Sequence, residues 1–176
     1  MSDNSALRRQ LVAIATAQVG SHEEGGNNLG PMVAMFQAAT SLPPGPWPWC
    51  AAFVDWCVRE WLQMPPVRAA MGLSTEAEAE AWRPRTALAF GFEGWGLGHG
   101  LAVLPELAVA RAGDLVTFDF SHVGIVAVDQ PAASGMIETI EGNTNGAGAR
   151  DSASGDGVWR KTRRVELVRR YVRLLP

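Results

Sequence analysis

At 176 residues, 47% hydrophobic and 19% charged, the chain has the make-up of one globular domain, long enough to bury roughly 70% of its unfolded surface without covalent staples. The net charge of −3 excludes a nucleic-acid binder of the usual kind, which carries a basic face. No segment approaches the ~20 apolar residues of a membrane span, so no membrane insertion is expected.

Arg8-Arg9 followed by apolar residues 11–17 superficially resembles a short secretory signal, but a core of about seven residues is at the bottom of the usual range. Leu7, Leu11, Ile14 and Ala15 recur at i, i+4, i+7 and i+8, as on one face of an amphipathic helix. The spacing predicts a first helix over 5–19, ended by Gly20. Residues 21–31 are dense in turn formers and read as a loop. A second helix is expected over 32–39, after a Pro31 suited to the first helical position. Residues 40–48 form a proline-rich loop.

After Pro48 the apolar period becomes helical. Cys50, Phe53, Val54, Cys57, Val58 and Trp61 fall on one face of a buried helix, which Pro65-Pro66 should stop near Met64. Cys50 opens that helix. There a thiol meets free backbone N–H groups and the positive end of the helix dipole, both of which favour thiolate. The stretch by itself is equally readable as a small buried hydrophobe. The two cysteines cannot pair: seven residues of helix separate them by about 10.5 Å, and a disulfide needs less than about 7 Å. Free thiols fit synthesis in a reducing compartment.

Residues 67–111 read as a helical or loop insertion, or lid, on a single domain spanning 1–176. Within it Thr75 and Glu78 have capping-box spacing, a short helix is expected at 86–92, and glycines follow to 100. From Gly113 the period is two. Val116, Phe118 and Phe120 mark a half-buried strand, and 122–128, apolar on both parities, a central one. Further strands are expected at 136–141, 158–164 and 171–175, with a Gly/Asn/Ser-rich loop over 143–157. The late basic clusters around Arg160 to Arg164 and Arg169-Arg170 look like the solvated sides of strands, with a local anionic contact left open. Helices first and an antiparallel sheet after make the fold class α+β.

A cysteine nucleophile needs a base within hydrogen-bond reach and a group to orient that base. Of three histidines, His22 and His99 lie in acidic and glycine-rich loops and read as surface side chains; His122 opens an apolar strand. A symmetric hairpin about Ala132 sets His122 opposite Gly142, and a slip of one residue sets it opposite Glu141 or Asn143. Directly opposed Cβ atoms lie about 4.5–5.5 Å apart. Glu141 is therefore the expected orienter, with Asn143 as alternative orienter or substrate donor. There is no His-Glu-x-x-His and no Cys-x-x-Cys, so no metal site and no cofactor are expected.

Pro48-Trp49-Cys50-Ala51-Ala52-Phe53-Val54, Gly113-Asp114-Leu115-Val116 leading to His122-Val123-Gly124-Ile125-Val126, and Ile140-Glu141-Gly142-Asn143-Thr144-Asn145 together resemble the CHAP amidohydrolases, relatives of the NlpC-type peptidases. The likeness extends to Glu24-Gly25-Gly26-Asn27-Asn28, Trp82-Arg83-Pro84-Arg85-Thr86 and Gly155-Asp156-Gly157-Val158. The resemblance implies a papain-like fold and cleavage of an amide bond in bacterial peptidoglycan. It implies Cys50 as nucleophile, His122 as general base and acid, and Glu141 as the residue orienting the imidazole; Asn143 also matches a family position. Some members bind calcium through carboxylates just before the nucleophile. Residues 43–48 here carry none, so calcium is not carried over. Neither a wall-binding domain nor a clear signal peptide is read, so the expected route from cytoplasm to cell wall is phage-type lysis through holin pores or injection as an antibacterial effector. An effector would have an immunity or inhibitor protein as a further partner, and a monomer is expected. The rival readings are a non-catalytic wall-binding module, a thiol acyltransferase and a protein peptidase.

Overall fold

The structure, a computed structural model, describes residues 4–131, 134–146 and 155–176. The expected hairpin centre at Ala132 and most of the glycine-rich loop, 147–154, lie outside the described residues.

The first helix, α1 (Ser5–Thr16), buries Leu11, Val12 and Ala15. It stops short of the expected 19, and the chain turns through Gly20 at φ 94°, whose N–H donates to the Val158 carbonyl at 3.0 Å. Pro31 takes the first position of α2 (Pro31–Gln37) as expected. Next comes α3 (Cys50–Leu62), the central helix, with eleven of its thirteen residues buried. The Pro65-Pro66 pair does more than stop it. Prolines suit the first turn of a helix, and they begin α4 (Pro65–Ala70), which periodicity did not reveal. Arg68 then reaches back to donate to the Leu62 and Gln63 carbonyls at 2.9 and 2.7 Å, closing the end of α3.

The expected capping box forms at the start of α5 (Glu76–Trp82): Glu78 N–H donates to Thr75 Oγ1 at 3.1 Å and Thr75 N–H to Glu78 Oε2 at 3.3 Å. The helix expected at 86–92 is displaced. Thr86 Oγ1 accepts the Leu88 N–H at 3.0 Å in a local turn, and the helix is instead α6 (Gly91–Gly98), running through the glycines read as breakers. Packing explains one of them. A Cβ at Gly96 would sit 2.8 Å from Val172 Cγ1, so the bare position lets α6 lie close against the sheet. Residues 67–111 also supply a strand that was not foreseen, β1 (Ala102–Pro105).

The remaining strands are β2 (Leu115–Phe118), β3 (Val123–Val126), β4 (Met136–Thr144), β5 (Gly157–Arg164) and β6 (Val168–Arg173). They form one antiparallel six-stranded sheet in the order β1-β6-β2-β3-β4-β5. This is the expected α+β arrangement, with the N-terminal helices packed on the sheet. Strand β3 is buried on both faces as predicted. So is β2, which alternation suggested would be half exposed; its polar Thr117 is buried by donating to Glu93 Oε1 of α6 at 2.7 Å. One sheet face carries Leu115, Val123, Ile125, Ile140 and Val172 into the large core shared with α1, α2 and α3. The other forms a smaller core around Val116, Phe118, Val126, Ile137, Val168 and Tyr171. Both cysteines are free. Cys57 is wholly enclosed, and burial, then the charge of Glu60, pushes its thiol well above the ordinary value.

Candidate active site

Cys50 is the first residue of α3 and only 6% exposed. The loop that delivers it is fixed from below by buried Gln37, whose Nε2 donates to the Gly45 and Trp47 carbonyls at 2.8 and 3.0 Å while its Oε1 accepts the Gly45 N–H at 3.0 Å. Trp49 caps the helix without a side-chain cap of its own. Its backbone N–H donates to Asn143 Oδ1 at 3.1 Å, and its indole N–H to Glu23 Oε1 at 2.9 Å. Trp49 is thus a buried anchor rather than a groove wall.

Asn143 is one of two non-glycine residues with positive φ among those described, at 54°; the other is Asn28, at 59°. The left-handed backbone, which Asn tolerates better than most residues, aims the Asn143 amide at the α3 start. Its NH2 donates to Asn28 Oδ1 at 3.0 Å and to Glu23 Oε1 at 3.3 Å. Two loops and a strand end are therefore pinned together where the cysteine helix begins. The resemblance reached this loop, but only the structure shows what Glu23 and Asn28 hold.

His122 sits just before β3, wholly buried, with Phe120 and Phe118 stacked against its ring at 5.7 and 5.9 Å. Its Nε2 lies 2.8 Å from Glu141 Oε2. Cys50 lies close enough to act on the same ring. Burial by itself would lower the imidazole pKa, but the charge and hydrogen bond of Cys50, and then those of Glu141, outweigh it and raise the value to about 9. Burial likewise pushes Glu141 up, and hydrogen bonds from Arg163 and His122, with their charges, bring it down to about 2.

The hairpin register differs from the symmetric one. Ile125 pairs with Ile140 and Val126 with Thr139, which carried onward sets Asn143 level with His122 and Glu141 level with Gly124. Glu141 nevertheless reaches the ring, on the diagonal, because nothing stands in its way: a Cβ at Gly124 would lie 2.7 Å from Glu141 Cγ. Gly142, next along, is pressed against α3, where an added Cβ would be 2.6 Å from Phe53 Cβ. These two glycines let β4 touch the imidazole on one face and the cysteine helix on the other.

Arg163 and Thr139 are the residues sequence reasoning missed. Thr139 Oγ1 donates to Glu141 Oε1 at 2.6 Å. Arg163 donates from Nε to Oε1 at 2.9 Å and from a terminal nitrogen to Oε2 at 2.6 Å. The basic run of β5 is a solvated stripe only on alternate residues. Arg160, Thr162 and Arg164 are exposed, whereas Lys161 and Arg163 are buried at 6% and 1% exposure. The period-two alternation was the available signal, and five charged or polar residues in succession hid it.

Cys50 opens onto a cleft of about 290 Å³, lined further by Leu42, Trp47, Pro48, the 87–89 stretch and Ser121. Trp47 is the groove tryptophan; Trp95 packs instead on Trp82, at 4.9 Å between rings. His22 and His99 are exposed and lie on other elements. Among the described residues no group of three His, Cys, Asp or Glu side chains gathers as a metal site requires.

N-terminal helices packed on a six-stranded antiparallel sheet, with a cysteine opening the central helix, have the papain-like α+β architecture. The family model described as CHAP domain matches residues 43–143, and the chain belongs to that family. CHAP domains are cysteine amidases or peptidases, and peptidoglycan is the substrate the family implies. No curated protein and no solved structure matches the chain.

Proposed function

We propose that the protein is a peptidoglycan amidohydrolase in which Cys50 is the nucleophile, His122 the general base and acid, and Glu141 the residue that orients the imidazole. The observation that carries this is the buried ring of His122, whose Nε2 lies 2.8 Å from Glu141 Oε2 and on which Cys50 acts by charge and hydrogen bonding. The proton of Cys50 passes to His122, and the thiolate attacks a stem-peptide carbonyl. The Cys50 N–H, without an intrahelical acceptor because it opens the helix, is placed to donate to the oxyanion. The imidazolium then protonates the leaving amine, and water, deprotonated in turn by His122, releases the acyl group. Among the described residues the cleft around the sulfur is lined by no charged side chain, which suits a neutral amide flanked by small groups.

Purified protein incubated with isolated peptidoglycan is expected to release new amino groups, read by amine labelling and mass spectrometry of the fragments, without new reducing sugar ends. Reducing ends would mean glycosidic cleavage and overturn the reading. Its site of action follows as part of the proposal: the wall, reached from the cytoplasm by a lysis pore or by injection. Protein directed to the periplasm should lyse a bacterial host that tolerates the same protein in its cytoplasm.

Gly124 provides a steric test. Gly124→Ala places a methyl against Glu141 Cγ and 3.1 Å from the Ile140 carbonyl, so the carboxylate must move. Overpacking costs about 1–3 kcal/mol, and a displacement near 1 Å at a catalytic group costs on the order of 10²-fold in rate. Urea midpoints and fragment release together check both halves.

A further inference from the structure

Behind the line from Cys50 through His122 to Glu141 lies Arg163, a guanidinium with no exposed side-chain surface. Its central carbon is 5.4 Å from the Phe118 ring and 5.6 Å from that of Phe120, the same two rings that stack against His122. One aromatic shelf thus carries both the imidazole and the guanidinium that bond Glu141. Among the described residues the carboxylate receives four hydrogen bonds. Oε1 accepts from Thr139 and from Arg163 Nε, Oε2 from His122 and from a terminal Arg163 nitrogen. Four is about the full acceptor capacity of an ionised carboxylate, and a protonated one would set an O–H against one of these donors.

We propose that Arg163 is a positioning residue for the amidohydrolase reaction, its two-point clamp keeping Glu141 ionised and aimed at Nε2 of His122. The proposal rests on the reading of Cys50, His122 and Glu141 given above.

Charge accounting supports it. The groups that face Glu141 are His122 from the β3 side, Arg163 and Lys161 from β5, and Cys50 through the imidazole. Lys161 is also in the field of Glu141, but its ammonium donates to the Asn145 carbonyl at 2.7 Å, so it does not replace the clamp. With Arg163 present, the thiolate is matched by the imidazolium and the Glu141 carboxylate by the guanidinium bonded to it. Without Arg163 the buried carboxylate loses that bonded counter-charge, a loss that a low-dielectric site relieves by binding a proton. Burial is the strongest influence on Glu141 and acts upward, and the hydrogen bonds of Arg163 are the first of those that oppose it. A Glu141 that takes up a proton no longer accepts well from Nε2–H, and the imidazole loses the tautomer it needs, as a triad does when its acid is neutralised.

The test compares kcat/KM against pH for wild type, Arg163→Lys and Arg163→Met on a soluble muropeptide, with Cys50→Ala alongside. In Arg163→Met the acid limb should move up by at least about one pH unit and kcat fall about tenfold or more, with KM little changed. Arg163→Lys, which restores the charge but not the fork, should lie between. A folded Arg163→Met whose profile keeps its wild-type shape, lowered by a uniform factor, overturns the proposal. If Arg163→Met fails to fold, the Arg163→Lys profile decides in the same terms, joined by 15N NMR of the His122 ring at pH 5, where the Nε2–H tautomer or the imidazolium bonded to carboxylate must weaken relative to wild type. Loss of activity in Cys50→Ala together with unshifted Arg163 profiles sinks this inference alone. Full activity in Cys50→Ala sinks the catalytic reading and this inference with it.

Discussion

Cys50→Ala should abolish fragment release, with a fall in rate on the order of 10⁴-fold or more, while leaving the fold intact. Truncating this thiol removes one heavy atom from the lining of a cleft, so the packing loss is small; the loss of the nucleophile is not, because the acyl intermediate of the proposed reaction forms on that sulfur. His122→Ala should fall to the same floor. The double variant should be no worse than either single one, since members of a nucleophile–base unit act together and their effects do not add. Cys50→Ser keeps a nucleophile of about the same size but one that is far harder to ionise, and is expected near the floor. Cys57→Ala is the control. Two helical turns away and fully enclosed, with its thiol pushed upward by burial, it should keep activity and lose about 1–2 kcal/mol of stability. Equal losses in Cys50→Ala and Cys57→Ala, measured as fragment release per folded protein, would show that the cysteine helix is being disturbed as a whole and that Cys50 has no separate role.

The contrast between the two cysteines was legible in the sequence because it rests on local facts: the proline stop before residue 50 and the helical period after it. The placement of helices before an antiparallel sheet was legible for the same reason. What stayed hidden depends on bare positions and on long-range partners. The glycines of α6 have low helix propensity, yet the helix forms, and at Gly96 Val172 allows nothing larger; there packing overrides propensity. Strand β1 is four residues long, ends in proline and pairs only with β6, as suits an edge, so alternation had little to act on. The expected pairing of His122 with the end of β4 was right about the partner strand and imprecise about the residue opposite. Gly124, apparently just a small residue in an apolar strand, is what converts a diagonal neighbour into a bonded one. Arg163 could have been sought by asking what compensates a buried Glu141. The charge run around it read as solvent-facing only because β5 places its buried and exposed cations side by side.

Glu141→Gln should show the second large effect, and on two observables that separate catalysis from folding. The carboxylate is wholly buried between His122 and Arg163. Neutralising it leaves the Arg163 guanidinium enclosed without its counter-charge, and breaking a buried pair in this way costs about 3–5 kcal/mol. The pH dependence of that loss has a definite sign. Glu141 is held down at about 2 from its ordinary 4.5, so its contribution is fully present above about 4.5 and disappears as pH falls through 2. His122 is raised to about 9 from 6.5, so its contribution is fully present below about 6.5 and disappears as pH rises through 9. Wild-type stability from this cluster should accordingly be flat between the two unperturbed values and decline toward pH 9. In Glu141→Gln two of the four influences that raise His122 are removed or weakened, and the decline should begin at lower pH. Activity follows the same proton. The imidazolium that must protonate the leaving amine is lost earlier on the alkaline side, so the alkaline limb of kcat/KM should move down in pH, and the maximal rate should fall on the order of 10²-fold or more as the ring loses its fixed tautomer. Denaturant titrations at pH 6 and pH 9, with rate profiles across the same range, measure both. An unmoved alkaline limb in a stable Glu141→Gln protein would assign the high imidazole pKa to Cys50 alone and leave Glu141 a packing role.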